Sequence, residues 1–225
     1  MNKFNLSNIP KLYRQNGNFH FWIPMILEST KLLPNKKKKV LDFGCGDGSF
    51  LQLFAYVDKL KNGLGLELDK KLVKTANKQN SNSLIKYKAY GYILKQNYFD
   101  VAFSQEVIYT IKDLDIHAKE IFNSLKKGSY YFATIGSHIE NPLWSKRRKL
   151  IRDEENYYAY DYSIDEIANI FYKVGFQVGI KRLPVEYPII YDHKITKEFS
   201  NSLEELVETS YEHKMIFSFW KPFEQ

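Results

Sequence analysis

Two hydrophobic rhythms alternate along the chain: short apolar runs of strand length, and longer stretches whose apolar residues recur every third or fourth position. Phe19, Trp22, Ile23, Ile26 and Leu27 fall on one side of a helix predicted over Phe19–Leu33. Lys39–Phe43 reads as a first strand, and Phe50, Leu51 and Phe54 open a helix from Ser49. Gly63–Glu67 reads as a second strand, Ser83–Ala89 as a third and Phe99–Ser104 as a fourth. The helix after the second strand begins near Asp69, whose carboxylate suits the free amides of a first turn. Asp113–Leu125 sets Leu114, Ala118, Ile121, Phe122 and Leu125 on one helical face, with Gly128 as the stop beyond it. A fifth strand follows over Tyr130–Ile135. Ser163 and Glu166 have capping-box spacing ahead of a helix carrying Ile164, Ile167, Ile170, Phe171 and Val174. Gly175 then turns the chain into a strand over Phe176–Lys181, and Lys214–Trp220 is the last strand. The stretch Leu183–His213 carries no readable period.

Strands alternating with helices imply a parallel sheet with crossover helices, an α/β fold. The whole span 1–225 reads as a single domain, with an N-terminal helical extension over 1–38 and an insert over 184–212. Hydrophobic residues at 44% and aromatics at 16% suit a packed core. The formal charge of +7 permits an anionic substrate or some nucleic-acid affinity, but scattered surface lysines give the same value. The lysine run in "NKKKKV" reads as a solvated loop before the first strand. The one cysteine, Cys45, allows neither an internal disulfide nor a cysteine-based zinc site, and no metal site is expected. No apolar run reaches the ~18–20 residues of a membrane span, and "MNKFNLSNIPKLYRQ" lacks a signal-peptide core. A cytoplasmic protein is the expectation.

The candidate chemistry lies in "VLDFGCGDGSF", Val40–Phe50. A strand, then Gly44, Gly46 and Gly48, then a helix makes a loop whose backbone a ligand can approach, next to free helix amides. A bare tight turn needs fewer glycines. A dinucleotide loop needs its third glycine where Ser49 stands, and Asp42 and Asp47 would repel a pyrophosphate. A positively charged ligand fits better.

This stretch resembles the first signature of class I S-adenosylmethionine-dependent methyltransferases, a hydrophobic strand followed by D/E-x-G-x-G-x-G. "GLGLELD" resembles the second, with Glu67 as the strand-ending acid that holds the ribose hydroxyls; Asp69 competes but fits the next helix start. "YFDVAFSQEVIYTIKDLDIHAKEIFNSLKKGSYYFAT" looks like the family's fourth strand, helix and fifth strand. The resemblance covers about Lys39–Lys181 plus "KMIFSFWK". It implies a Rossmann-like three-layer sandwich, its seven-stranded sheet mostly parallel with the last strand antiparallel. It also implies S-adenosyl-L-methionine as cofactor, bound by Asp42, Gly44, Cys45, Gly46, Gly48, Glu67, Leu68, Ser104 and Gln105. The family's acid after the third strand is absent, leaving Tyr90 or a backbone carbonyl for the adenine. Where many small-molecule relatives read E-V-L-E-H, this chain has Glu106–Thr110, so no histidine base carries over.

Methyl transfer is an in-line displacement helped mainly by alignment and desolvation, so few catalytic residues are needed. Tyr109, His138 and His20 are the candidate bases, with Tyr13 and His193 as further polar groups near the acceptor. "SKRRKLIRDE" either steers an anionic acceptor or is a solvated helix face. The N/D-P-P-Y/F/W motif of many amino-directed nucleic-acid and protein enzymes is missing after the fourth strand; "NPLW" follows the fifth instead. A small-molecule acceptor is the first expectation, methylated on oxygen or nitrogen, with an anionic compound or a saccharide both open. The alternatives are an RNA- or protein-directed enzyme and a non-catalytic cofactor-binding subunit. The acceptor pocket is expected in the N-terminal segment, with Tyr13, Arg14, His20 and Trp22, and in the insert, with Tyr187, Tyr191, Asp192 and His193.

Overall fold

A computed structural model describes residues 18–34, 36–155, 157–184, 189 and 200–223. Seven strands form one sheet: β1 Lys38–Phe43, β2 Leu60–Glu67, β3 Ile85–Ala89, β4 Phe99–Gln105, β5 Leu125–Ile135, β6 Gln177–Arg182 and β7 Met215–Trp220. Their order is β3-β2-β1-β4-β5-β7-β6. The five strands from β3 to β5 are parallel, and β7 runs antiparallel between β5 and β6. The helices are α1 Phe19–Leu32, α2 Ser49–Val57, α3 Lys70–Gln79, α4 Leu114–Ser124, α5 Trp144–Leu150, α6 Ile164–Val174 and α7 Leu203–Glu212.

The central strands are apolar on both faces, as buried parallel strands must be. Val40, Val101, Phe103 and Phe132 meet the residues of α1 and α2 on one face. Leu41, Ala102, Tyr131 and Ala133 meet α4 and α6 on the other. Three layers result, as the methyltransferase resemblance implies.

Helix ends follow the local chemistry. Lys71 N donates to Asp69 Oδ1 at 2.7 Å, Ser163 and Glu166 form a reciprocal capping box, and Gly175 closes α6 at φ +114°. Two expectations need correction. Gly128 does not stop a helix: β5 begins at Leu125, directly after α4, and Gly128 bulges within it at φ +75°. A Cβ there would stand 2.4 Å from the Phe223 ring. The lysine run is not all solvated either. Lys38 is fully buried at the start of β1, its Nζ 2.6 Å from Asp58 Oδ2.

Candidate active site

The glycine loop leaves β1 with all three glycines at positive φ: +76° at Gly44, +54° at Gly46 and +84° at Gly48. Two of them answer to the protein itself. A Cβ on Gly44 would lie 2.4 Å from Val107 Cγ2, and one on Gly48 would lie 2.5 Å from Tyr87 Cζ. A Cβ on Gly46 would meet nothing within 4 Å. Gly46 is therefore the glycine that faces open space, where a ligand can come against the backbone.

Glu67 ends β2 and ties the loop to the next helix. Its Oε2 accepts from Gly46 N at 2.9 Å, and its Oε1 accepts from Asp69 N at 3.0 Å. Asp69 is occupied as the α3 cap, so of the two acids Glu67 faces the cavity. Asp42 is buried, with Oδ2 lacking a partner. Burial, then the nearby Glu67 and Asp47 charges, hold its carboxyl well above the usual range. Asp47 accepts from Ser49 N at 3.0 Å and so steadies the start of α2.

A cavity of about 620 Å³ opens at the carboxyl edge of β1, β2 and β4, where ligands of open α/β sheets bind. Gly44, Glu67, Leu68, Tyr90, Gln105, Tyr109 and Tyr158 are among the residues that line it. Tyr90 stacks edge-on against Phe43 (5.6 Å between centroids), and His117 packs on the same ring at 4.4 Å. Burial pushes the His117 imidazole down to about 3, so it is neutral at ordinary pH.

Not every candidate reaches this cavity. Ser104 is fully buried and shares a 2.6 Å hydrogen bond with the Tyr131 hydroxyl, so Gln105 alone of that pair lines the space. Cys45 turns its thiol toward Gly65, where a Cβ would stand 2.7 Å from Sγ, and its amide donates to Leu66 O. Gly48 meets Tyr87 rather than the cavity, and Gly46, although open space lies beside it, is not among the residues that line the cavity. His138 is fully buried, with Nδ1 2.9 Å from Glu140 Oε2 and Nε2 2.8 Å from His213 O, so neither nitrogen is free to act as a base. Tyr109 lines the cavity, packed edge-on against Trp144. Asn141, within "NPLW", bonds Gly136 O and Leu143 N and so braces a turn. The His20 side chain, Tyr13, Arg14, Tyr187, Tyr191, Asp192 and His193 lie outside the described residues. No described residue of 18–33 or 183–213 lines the cavity.

Beside the cavity is a charged group that sequence reasoning passed over. Glu106 follows β4 in the left-handed region at φ +52°, a costly conformation for a side-chain-bearing residue. This aims its carboxylate across to the end of β5. Its Oε1 accepts from Gly136 N (2.8 Å) and Lys214 Nζ (2.7 Å), and its Oε2 accepts from Ser137 Oγ (3.1 Å). Lys214 Nζ also lies 4.3 Å from the Phe21 ring centroid. No local pattern marks Lys214, since its partner is more than a hundred residues away in the chain.

The comparisons agree with this geometry. The family described as "Methyltransferase domain" matches residues 16–179. The chain belongs to that methyltransferase family. No curated protein matches it. Among solved structures, a chain of the Haloferax volcanii complex between the Trm112 methyltransferase activator and a methyltransferase superposes with a TM-score of 0.77. It has 17% identity, over 91% of this chain and 90% of that one. A Mesorhizobium loti S-adenosylmethionine dependent methyltransferase gives 0.68 at 16% identity, over 92% and 99%. Haemonchus contortus phosphoethanolamine N-methyltransferase 2, solved with S-adenosyl-L-methionine, gives 0.66 at 18% identity, over 93% and 58%. These methyltransferases share the Rossmann-like fold, and S-adenosylmethionine is the cofactor of this one too. The site fits that molecule: acids cluster around the loop, Gly46 opens onto free space, and among the described residues no cation pairs with Glu67 to welcome a pyrophosphate. No described helix is long and apolar enough to cross a membrane.

Proposed function

We propose that this methyltransferase acts on an oxygen or nitrogen of a small-molecule acceptor. The observation that carries the reading is the cavity itself, which Gly44 and Glu67 line together with Gln105, Tyr109, Tyr157 and Tyr158. At about 620 Å³ it falls within the ~300–1,000 Å³ usual for small-ligand sites, and its walls are largely aromatic and aliphatic. The Haemonchus contortus structure with phosphomonomethylethanolamine and S-adenosylhomocysteine offers a precedent for a small acceptor on a similar fold.

Bound S-adenosylmethionine supplies a methyl group on a positively charged sulfur. In this reading the cofactor is held at Gly44, Gly46, Glu67 and Leu68, with Gln105 and Tyr90 against it, while Asp42 stays buried at the end of β1. Cys45, Gly48 and Ser104 shape the loop and strand around it rather than touching it through their side chains. Tyr109 is the candidate base that reaches the cavity.

The test is methyl turnover from labelled S-adenosylmethionine against a broad panel of small alcohols, amines and acids, with bulk RNA and a protein extract alongside. Turnover on one class of small acceptor is the expected result. Turnover on RNA or protein alone would favour a macromolecular acceptor, and cofactor binding without any turnover would favour a non-catalytic subunit.

A further inference from the structure

The basic segment "SKRRKLIRDE" splits in the fold. Lys146 Nζ donates to Asn201 Oδ1 at 3.1 Å, Arg148 pairs with Asp161, and Arg152 pairs with Asp153. Each of these faces outward to a partner. Arg147 turns inward instead. Its side chain makes no hydrogen bond or ion pair to any described residue, and its Nε is buried without a partner. The turn is imposed by Trp144, which begins α5, donates its Nε1 to Asp161 Oδ1 at 2.6 Å and packs on Tyr109. One helical turn later, Arg147 Nη1 reaches the end of β5, where a Cβ on Gly136 would stand 3.4 Å from it and 3.2 Å from Lys214 Cδ. Glycine at 136 makes room for both cations.

The charges there do not balance. Arg147 and Lys214 are two cations, and Glu106 is the anion that acts on both. Its oxygens are already taken by Lys214, Gly136 N and Ser137 Oγ. A guanidinium cannot shed its proton to escape burial, so leaving it largely desolvated and unpaired is costly. Its planar fork suits a carboxylate or phosphate in two parallel hydrogen bonds. The group stands behind the cavity wall: Glu106, which holds Lys214, and Tyr109, which packs on Trp144, both line the cavity, whereas Arg147 and Lys214 do not.

We infer that Arg147, backed by Lys214, forms an oxyanion site for the acceptor, which carries a phosphate or carboxylate group. The inference rests on the small-acceptor reading and adds the acceptor's charge to it. Lys214 holds Glu106 in place and offsets its charge, and the Arg147 fork receives the anion beside Tyr109. The acceptor is thereby held by its charged end, at the wall formed by Glu106 and Tyr109.

Calorimetric titration of the full chain with inorganic phosphate and with acetate, against chloride at equal ionic strength, tests this directly. Wild type should bind one of the two anions saturably. Arg147→Gln should weaken that binding at least tenfold and leave S-adenosylhomocysteine affinity unchanged, and Lys146→Gln should change neither. Stronger binding of phosphate identifies a phosphate ester, and stronger binding of acetate a carboxylate. If Arg147→Gln does not fold, as loss of S-adenosylhomocysteine binding would reveal, Arg147→Lys serves in its place. It keeps the charge without the fork, and severalfold weaker anion binding is expected. No saturable anion binding by wild type, or undiminished binding by the folded variant, overturns the site. In the acceptor panel, turnover confined to uncharged small molecules overturns the anion site and leaves the small-acceptor reading standing. Turnover confined to RNA or protein overturns both.

Discussion

Gly46 and Gly48 sit two residues apart, and the structure assigns them opposite duties. Replacing either by alanine places a Cβ on a residue at positive φ, which costs about 1–2 kcal/mol. For Gly46→Ala that is the whole stability cost, because the methyl group enters open space. For Gly48→Ala the methyl group would also stand 2.5 Å from the ring of Tyr87. That ring is only 2% exposed, and its hydroxyl donates to Gly48 O at 2.8 Å, so it has nowhere to retreat without breaking the bond. Overpacking of this kind adds about 1–3 kcal/mol. The total of about 2–5 kcal/mol is a large share of a typical ~5–15 kcal/mol stability. Urea unfolding should therefore rank wild type, Gly46→Ala, Gly48→Ala in falling order. Calorimetry with S-adenosylhomocysteine should rank Gly46→Ala low for a different reason: the added methyl group occupies the face the cofactor approaches. At least a tenfold loss of affinity is expected, equivalent to about 1.4 kcal/mol. Wild-type affinity in Gly46→Ala would refute the assignment of that face, and equal stability of the two variants would refute the clash at Tyr87.

Three further outcomes follow from the same coordinates. Glu67→Ala removes the carboxylate that accepts from Gly46 N and Asp69 N, at ~1.5–3 kcal/mol per charged hydrogen bond before water compensates. Cofactor affinity should drop at least tenfold, whereas Asp69→Ala should cost only a helix cap of ~1 kcal/mol; the reverse ranking by calorimetry would sink the assignment of Glu67. Burial raises the Asp42 carboxyl above its unfolded value near ~3.9, so the folded state takes up a proton the unfolded chain has already lost. That contribution is full below about pH 4 and fades as pH rises through the raised value. Asp42→Asn should match wild type in unfolding experiments near pH 4 and exceed it at neutral pH, and parallel pH profiles would contradict the argument. Lys38→Met strands Asp58, whose side chain is 8% exposed, and should cost ~3–5 kcal/mol in urea while sparing cofactor affinity; a silent variant would show that the pair contributes nothing.

The local features of this chain were legible because their energetics close within one turn. The Ser163–Glu166 capping box, the Asp69 cap, the Gly175 stop and the glycine loop after Phe43 each need only neighbours a few residues away. The alternation of strand-length apolar runs with helical stretches likewise announced a parallel sheet, since parallel neighbours need a helical crossover between them. The resemblance carried by Asp42–Gly48 and Glu67 then pointed to the cofactor. What the residues could not announce were meetings between distant segments. Gly48 looks like a ligand-facing glycine in sequence, yet Tyr87 occupies the space beside it. Ser104 looks like an edge residue but is drawn beneath the sheet's end by Tyr131. Lys38 is one of a run of lysines, and only the approach of Asp58 makes its burial tolerable. Arg147 stands between Lys146 and Arg148 with the same composition around it, and only the Trp144 anchor turns it inward while its neighbours find partners on the surface. Charge pattern along a chain records how many cations a segment has, whereas burial and the placing of Glu106 and Lys214 decide which one is left without an anion.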